Sequence, residues 1–526
     1  MQNIKNVNHE LFNGVMLNAY PDSIGDNLGD IIKMLSLPEF KNAFSLFYIL
    51  PTCFNSDLDR GFSIIDYNLN EDLVSESDLV ALDALNIKLK FDIVLNHLSV
   101  ASPQFKDLLA KGQNSKYKDF FINWNTFWDG HGSKNEEGIV IPKKYFLEKL
   151  FMRKAGLPIL NVRFPDGEEQ PYWNTFYQEV DLEKGSYLGQ MDVNANSPLV
   201  WEFYEDTLSK LKSYGCKILR LDAFAYLHKE IGQSNFFNEP GTWDYLERIK
   251  AIADEKGLQL LPEIHAEYGS ALHEKVADRG FKIYDFFLPG LVIHTLESKS
   301  STALLQWAQE IIAKDHKVVN MLGCHDGIPV LDLKGKNFNG NYNPGLLSDK
   351  EIEHVMDVVL QRGGRVKNLY GPDGKKISYY QVNATFYSAL GENDQKFLLA
   401  RAIQLFMPGI PQVWYLDIFA GKNDYKAADA AGKAGHKEIN RTNLSYKTVE
   451  DRLKNPVVLK QLDLIKVRNT SSAFYGNLKF NNHSESEIDM VWINGKESLQ
   501  LQANLKTFGF TITHDIGGDI NTLSFN

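Results

Sequence analysis

Lys217-Ile218-Leu219-Arg220-Leu221-Asp222-Ala223 is a run of apolar residues that closes on a carboxylate. A buried parallel strand whose C-terminal tip carries chemistry has this form. The pattern recurs at Leu260-Leu261-Pro262-Glu263-Ile264-His265 and at Cys324-His325-Asp326-Gly327, and it is preceded by Phe91-Asp92-Ile93-Val94-Leu95-Asn96-His97. One such tip carries little weight, because Asp and Asn also cap the helix that follows a strand. Four in series, separated by helical sequence, point instead to one active site assembled from several strand ends.

Working outward, strand candidates alternate with helical intervals along the chain. They are 14–20, 44–50, the segment ending at His97, 217–223, 259–265, Ile283 to Leu288, Val318 to Leu322 and Pro411 to Tyr415. Glu202 to Tyr214 and Thr242 to Lys256 between them show the i, i+3, i+4 apolar spacing of helices. Eight strand–helix repeats predict an α/β fold of the (β/α)₈ TIM-barrel type. Two intervals are too long for a crossover helix. The stretch 98–184 is polar, aromatic and broken by Gly and Pro, which predicts a subdomain inserted after strand three. The stretch 328–400 reads as long loops after strand seven, over the barrel mouth. Past residue 469 short alternating runs such as Asp489-Met490-Val491-Trp492-Ile493 predict a small C-terminal β-domain over 469–526, leaving 1–97 and 185–468 as the two parts of the barrel.

Composition narrows the function classes. The 526 residues are 44% hydrophobic and 23% charged, as in globular proteins, and a net charge of −11 gives no support to nucleic-acid binding. Aromatics make up 12%, useful for stacking on sugar faces and equally useful as core. Cys53, Cys216 and Cys324 are odd in number and widely spaced, without a CxxC or His-rich partner pattern, so buried free thiols are expected and a zinc site is not. The N-terminal residues lack an apolar signal region, and no run approaches a membrane span. These features together predict a cytoplasmic protein with no membrane association.

A barrel converges its strand tips on one mouth, which would gather Asp222, Glu263 and Asp326 with His97, Arg220 and His325 around them. Strand side chains alternate, so Arg220 faces the same side as Asp222 and would hold it ionised, as a nucleophile requires. A less solvated Glu263 would keep its proton and serve as acid. That pairing suits glycoside cleavage through an oxocarbenium-like transition state. Each residue also has a plain structural reading: Asp222 as a helix cap, Glu263 as a solvated strand end, Asp326-Gly327 as a turn, His97 as a satisfied buried histidine. The spacing of a dedicated cation-binding loop is missing, and no metal is expected.

At these residues the chain resembles the four signature regions of the α-amylase clan. Pro21 to Gly25, Asp59-Arg60-Gly61-Phe62, Tyr380-Gln381-Val382-Asn383, Tyr387 to Leu390, Pro408 to Val413 and Ile439-Asn440-Arg441 narrow the resemblance to the sucrose phosphorylase family, over nearly the whole chain. That family includes phosphorylases of sucrose, sucrose 6-phosphate, glucosylglycerate and glucosylglycerol. The resemblance implies Asp222 as nucleophile of a β-glucosyl ester, Glu263 as acid and then base, and Asp326 as transition-state stabiliser. It implies Asp59, His97, His325 and Arg441 around the glucosyl ring, Phe62 and Phe176 as its aromatic walls, and Arg220 tuning Asp222. Tyr226, His265 and Gln381 fall within matched segments and are expected to line the substrate site. Inorganic phosphate would release α-glucose 1-phosphate with retention, without a metal, nucleotide or organic cofactor, in a monomer or homodimer.

Departures from the family pattern bear on the acceptor. Ser378, in Ile377-Ser378-Tyr379-Tyr380, stands where sucrose-type members carry an Asp, and Tyr380 follows it at the acceptor side. Glu179 replaces a usual Gln and would disfavour an anionic acceptor, whereas Arg153-Lys154 occupy the place where phosphate-accepting members are cationic. Arg153 and Lys154 also read as a solvated surface pair. Thr442 replaces the His that usually follows Arg441. Overall similarity puts sucrose first, with glucosylglycerol, glucosylglycerate and sucrose 6-phosphate as alternatives. An amylase-type hydrolase would share the three carboxylates, and a non-catalytic relative would have lost one of them.

Overall fold

The computed structural model describes residues 13–153, 156–181, 186–338, 340–370 and 376–525. Eight parallel strands form one sheet: β1 (Met16–Ala19), β2 (Leu46–Ile49), β3 (Lys88–Val94), β4 (Cys216–Asp222), β5 (Gln259–Pro262), β6 (Ile283–Asp285), β7 (Val318–Met321) and β8 (Ile410–Trp414). Their order is β5-β4-β3-β2-β1-β8-β7-β6, which wraps the sheet into a barrel. β1 pairs with β2 on one side and with β8 on the other, in register Asn18 opposite Tyr48 and Trp414. The two ends of the list, β5 and β6, lie side by side without a hydrogen-bonded ladder, so the barrel is nearly closed. All eight strands fall on the segments that the sequence predicts.

These segments are strands because both faces of each are covered. Ile218, Leu219 and Leu221 on β4 are fully buried, as are Phe91 and Ile93 on β3. A run without polar alternation is stable only with helices outside and packed side chains within. The outer helices bury one stripe each. In the helix Pro198–Ser213, Val200, Trp201, Tyr204, Leu208 and Leu211 are buried, and Pro198 supplies the first-turn residue whose missing N–H costs nothing. The barrel interior is unusually polar: Lys90, Asp92 and Arg220 are buried inside it.

After β3 the chain leaves the barrel. The strand His97–Ser99 pairs antiparallel with Ser186–Asp192, which pairs in turn with Gln178–Asp181. A hairpin of Ile159–Arg163 and Glu169–Trp173 adjoins them. This region has a small core of its own, built on Trp124, Trp128, Phe146 and Trp173, with the Trp124 and Trp173 rings 4.9 Å apart. After β7 the chain forms two hairpins, Lys336–Phe338 with Asn341–Asn343 and Arg365–Tyr370 with Lys376–Asn383, separated by the helix Asp349–Gln361. The expectation of long loops there misses that helix, which Ser348 and Glu351 start with a reciprocal capping box.

The chain ends in a five-stranded antiparallel meander running from Asn477–Phe480 to Asp519–Phe525. It is fastened to the barrel by Trp492, whose indole N–H donates to the Phe406 carbonyl at 2.9 Å. Cys53, Cys216 and Cys324 are buried free thiols. Among the described residues no helix is long and apolar enough to cross a membrane.

Candidate active site

The C-terminal tips of the barrel strands open into a cleft of about 630 Å³. Its wall contains Asp222 after β4, Glu263 and His265 after β5, and His325 and Asp326 after β7. Asp59, Phe62, His97, Arg153, Phe176 and Tyr226 complete the set of sequence-predicted residues that line it. Arg220 lies beneath the floor with its side chain 3% exposed, and Arg441 reaches Asp326 from the far side. Lys154 lies outside the described residues, as do the side chains of Ser378, Tyr380 and Gln381, whose backbone belongs to the strand Lys376–Asn383.

Arg220 is the electrostatic centre. Its Nη1 donates to Asp92 at 2.6 Å and to Asp222 at 2.9 Å, while Nη2 meets Glu263 at 2.5 Å. Asp92 is fixed from behind by the Tyr48 hydroxyl, at 2.9 and 2.7 Å from its two oxygens. A guanidinium can serve three carboxylates because its donors diverge in one rigid plane. The two carboxyls are pulled in directions opposite to the sequence expectation. Burial pushes the Asp222 carboxyl well above its usual range, Arg220 opposes that, and the neighbouring Glu263 reinforces it. Burial also works to raise Glu263, but Arg220 and His265 outweigh it and hold this carboxyl well below the usual range. The two carboxyls act on each other, and their shifts run in opposite directions, Asp222 up and Glu263 down. Sequence could not weigh this, because Arg220 stands two residues from Asp222 yet makes its shorter contact with Glu263.

His265 stacks on Phe286 at 3.8 Å between ring centres and lies between two acids, with Nε2 3.6 Å from Glu263 and Nδ1 3.3 Å from Asp332. Asp326 occupies the turn that Gly327 predicts: the Gly327 N–H donates to the Cys324 carbonyl at 3.1 Å, and a Cβ on Gly327 would meet the Val382 carbonyl at 2.7 Å. Turn and site residue are therefore the same feature. Burial tends to raise Asp326, but His325 at 3.2 Å, Lys437 at 2.5 Å and Arg441 at 3.7 Å hold it well below the usual range. Burial lowers both His325 and His97, which favours their neutral forms.

Aromatic groups shape one end of the cleft. Phe62 stacks on His325 at 5.1 Å, and Phe176 packs against His97 at 5.0 Å and Tyr226 at 5.2 Å. His97 is oriented by the Phe62 carbonyl, 3.0 Å from Nε2. Beneath it Asn96, Lys229 and Thr175 converge on the buried Asp192, with Lys229 Nζ 2.8 Å from that carboxylate. Paired in this way, Asp192 braces the tip on which His97 sits.

The cleft is also lined by residues that sequence reasoning missed, Lys437, Asp332, Glu267, Lys334 and Lys336. Lys437 stands in Lys437-Glu438-Ile439-Asn440-Arg441, immediately before a recognised motif, and was legible by proximity. Lys334 and Lys336 flank Gly335 in the loop after β7. Lys336 pairs loosely with Glu267 at 3.1 Å and Lys334 with Asp349 at 3.9 Å, all four side chains being substantially exposed. The Arg153 guanidinium lies 5.5 Å over the Phe176 ring. Glu179 accepts from the Tyr177 hydroxyl at 2.9 Å and is not among the residues that line the cleft. The Thr442 hydroxyl donates to Asp424 at 3.0 Å.

Two groups have ligand atoms close enough for a metal ion, Cys324 with His325 and Asp326, and His273 with Glu274 and Glu310. In the first, Lys437 already neutralises Asp326 and burial pushes the Cys324 thiol up to about 11. In the second, Lys314 bridges both glutamates at 2.8 and 3.0 Å. Cationic side chains take the positions a metal ion would need.

Three carboxylates around one guanidinium, beside a pocket walled by aromatics and fringed by cations, can transfer a sugar unit between oxygen nucleophiles. Known proteins point the same way. The chain is 60% identical over 516 residues to the sucrose 6(F)-phosphate phosphorylase of Ilumatobacter coccineus, covering 98% of each. It is 33% identical to the sucrose phosphorylase of Streptococcus mutans, over 96% of this chain and 98% of that one. The crystal structure of the sucrose 6F-phosphate phosphorylase from Thermoanaerobacter thermosaccharolyticum superposes with a TM-score of 0.86 at 35% identity, over 98% of both chains. An α-amylase from H. orenii shares the fold, at a TM-score of 0.63 and 18% identity. No protein-family model matches the chain. The chain belongs to the sucrose phosphorylase family, and it is a glycosyltransferase of the disaccharide phosphorylase type.

Proposed function

We propose that this member of the sucrose phosphorylase family is a retaining α-glucosyl phosphorylase whose donor is sucrose phosphorylated on the fructosyl 6-hydroxyl. Sequence similarity at large puts sucrose first. The cationic fringe of the cleft, in a chain 60% identical to a sucrose 6(F)-phosphate phosphorylase, moves the reading to the phosphorylated sugar. The observation that carries it is that Arg153, Lys334 and Lys336 line the same cleft as Glu263. A phosphate dianion entering a site with three carboxylates needs such cations to offset repulsion.

In this reading Glu263 protonates the glycosidic oxygen as Asp222 attacks the anomeric carbon, and the glucosyl group passes to Asp222 as a β-ester while the phosphorylated fructose leaves. Phosphate then attacks the same carbon from the opposite face, Glu263 accepts its proton, and two inversions give net retention. Glu263 must carry the proton when the glycosidic bond breaks, and Asp222 must be ionised to attack. Asp326, with His325 and Arg441, grips sugar hydroxyls. Asp59 and His97 hold the ring between Phe62 and Phe176, whose π-faces favour the positive charge that develops. Tyr226 and His265 stand at the junction with the acceptor, and Gln381, Ser378 and Tyr380 belong to the hairpin assigned to its far side.

The test is a phosphorolysis panel with sucrose, sucrose 6-phosphate, glucosylglycerol and glucosylglycerate, reading glucose 1-phosphate release. Preference for sucrose 6-phosphate supports the reading. Preference for any other donor replaces the acceptor, and free glucose formed at equal rate with and without phosphate replaces the phosphorylase by a hydrolase.

A further inference from the structure

The turn that presents Asp59 to the cleft is held in a conformation its own residues do not favour. Asp59 has φ 50°, Arg60 has φ 47° and Gly61 has φ 104°, three successive residues in the left-handed region. Gly61 is obligatory there, because a Cβ would lie 2.4 Å from the Thr52 nitrogen. For Asp59 and Arg60 the conformation is unfavourable and persists only where surrounding contacts over-determine it. Backbone bonds close the turn, Gly61 N–H to the Leu58 carbonyl at 3.1 Å among them, and the Arg60 side chain supplies the contacts to other loops. Nη1 lies 3.3 Å from both Glu438 Oε2 and the Arg441 carbonyl, and Nη2 lies 3.4 Å from Asp22 Oδ2 and 3.3 Å from Asn443 Oδ1. The guanidinium plane sits 4.5 Å over the Tyr20 ring. Asp22 also accepts from Asn443 at 3.1 Å, and Glu438 accepts from Arg441 at 3.3 Å.

Arg60 thus ties the loop after β2 to the loops after β1 and β8. The β8 loop carries Lys437 and Arg441, which hold Asp326, and the charge of Asp59 acts on both of these cations. Four acceptors spread over two loops match the diverging donors of one guanidinium and no single ammonium. We propose that Arg60 is a positioning residue: it clamps the left-handed turn so that Asp59 faces the sugar pocket opposite Asp326. Arg60 does not itself line the cleft, so it acts through Asp59. The inference rests on the reading of Asp59 as a sugar contact.

The test is a double-mutant cycle on the full chain, measuring kcat and KM for the donor with Tm beside them. Arg60→Ala should lower kcat/KM roughly 10–100-fold, the scale of a small misplacement of a binding group, mainly through KM. Arg60→Lys should not rescue it. Arg60→Gly keeps the turn's conformational freedom without the clamp and should lose as much as Ala. On an Asp59→Asn background, Arg60→Ala should cost less than about threefold, because partners that act as a unit are not additive. Full additivity, or activity kept in Arg60→Gly, overturns the proposal while Asp59 retains its role. A neutral Asp59→Asn overturns the role of Asp59 and the clamp with it. Should Arg60→Ala fail to fold, Asp22→Asn weakens the clamp from its far end, and its effect must vanish on the Asp59→Asn background.

Discussion

Nη2 of Arg220 lies 2.5 Å from Oε1 of Glu263, closer than Nη1 of the same guanidinium lies to Asp222, at 2.9 Å. The arginine is therefore a clamp on Glu263 across the cleft as much as a neighbour of Asp222. Its charge works to lower both carboxyls; burial overrides it at Asp222 and not at Glu263.

Arg220→Lys should expose that double duty. One ammonium replaces a planar fork, so at least one of the three carboxylates loses its partner and Asp222 and Glu263 both rise toward protonation. The expected result is a fall of roughly 10²-fold or more in kcat/KM, with the acid limb of the pH–rate profile displaced to higher pH. An unchanged limb would remove Arg220 from control of the pair.

Asp222→Asn should abolish glucosyl transfer, with a loss on the order of 10⁴-fold or more, because an amide cannot form the ester. The same change should raise thermal stability at neutral pH. A carboxyl raised in the folded state keeps its proton while the unfolded chain releases its own. Stability therefore falls as pH climbs from the ordinary carboxylate value toward the raised one. Replacing the group removes that loss. A Tm below that of the parent at pH 7, or activity within about tenfold of it, would contradict the assignment.

Glu263→Gln separates acid catalysis from ester formation. Glucosyl fluoride carries a leaving group that needs no proton, so ester formation from it should survive while cleavage of a natural disaccharide collapses. Equal loss with both donors, measured by release of fluoride against glucose 1-phosphate, would take the acid role away from Glu263.

Arg153→Ala and Lys336→Ala should each weaken use of sucrose 6-phosphate more than use of sucrose, by roughly 10-fold in the ratio of kcat/KM values, the scale of one charge-assisted contact. Equal effects on the two donors would mean that these cations serve the incoming phosphate or the surface alone.

Much of this arrangement could be read before any coordinates. A strand tip carries its signature locally, as apolar residues closing on Asp222, Glu263, His97 or Asp326, and the eight-fold alternation sets where the tips meet. The helix Asp349–Gln361 was legible too, through Ile352, Val355, Met356 and Val359 at helical spacing behind Ser348, but turn residues on either side obscured it. What resisted was whatever depends on distance between remote loops. Lys334 and Lys336 look like ordinary surface lysines until the loop after β7 is folded beside Glu267. The opposed shifts of Asp222 and Glu263 depend on how one guanidinium is placed between them.

The missing ladder between β5 and β6 leaves seven zipped joints and one bare seam in the barrel. Amide hydrogens facing that seam have no partner strand to shield them and should exchange with solvent earlier than those of β1 or β3. Glu263 and His265 follow the strand at its border, so breathing along the seam would reach them before it reached the strand of Asp222, which is zipped in on both flanks. At that border Glu263 is held by its N–H bond to the Leu221 carbonyl and by Arg220, while Asp222 ends a stave laced from both sides.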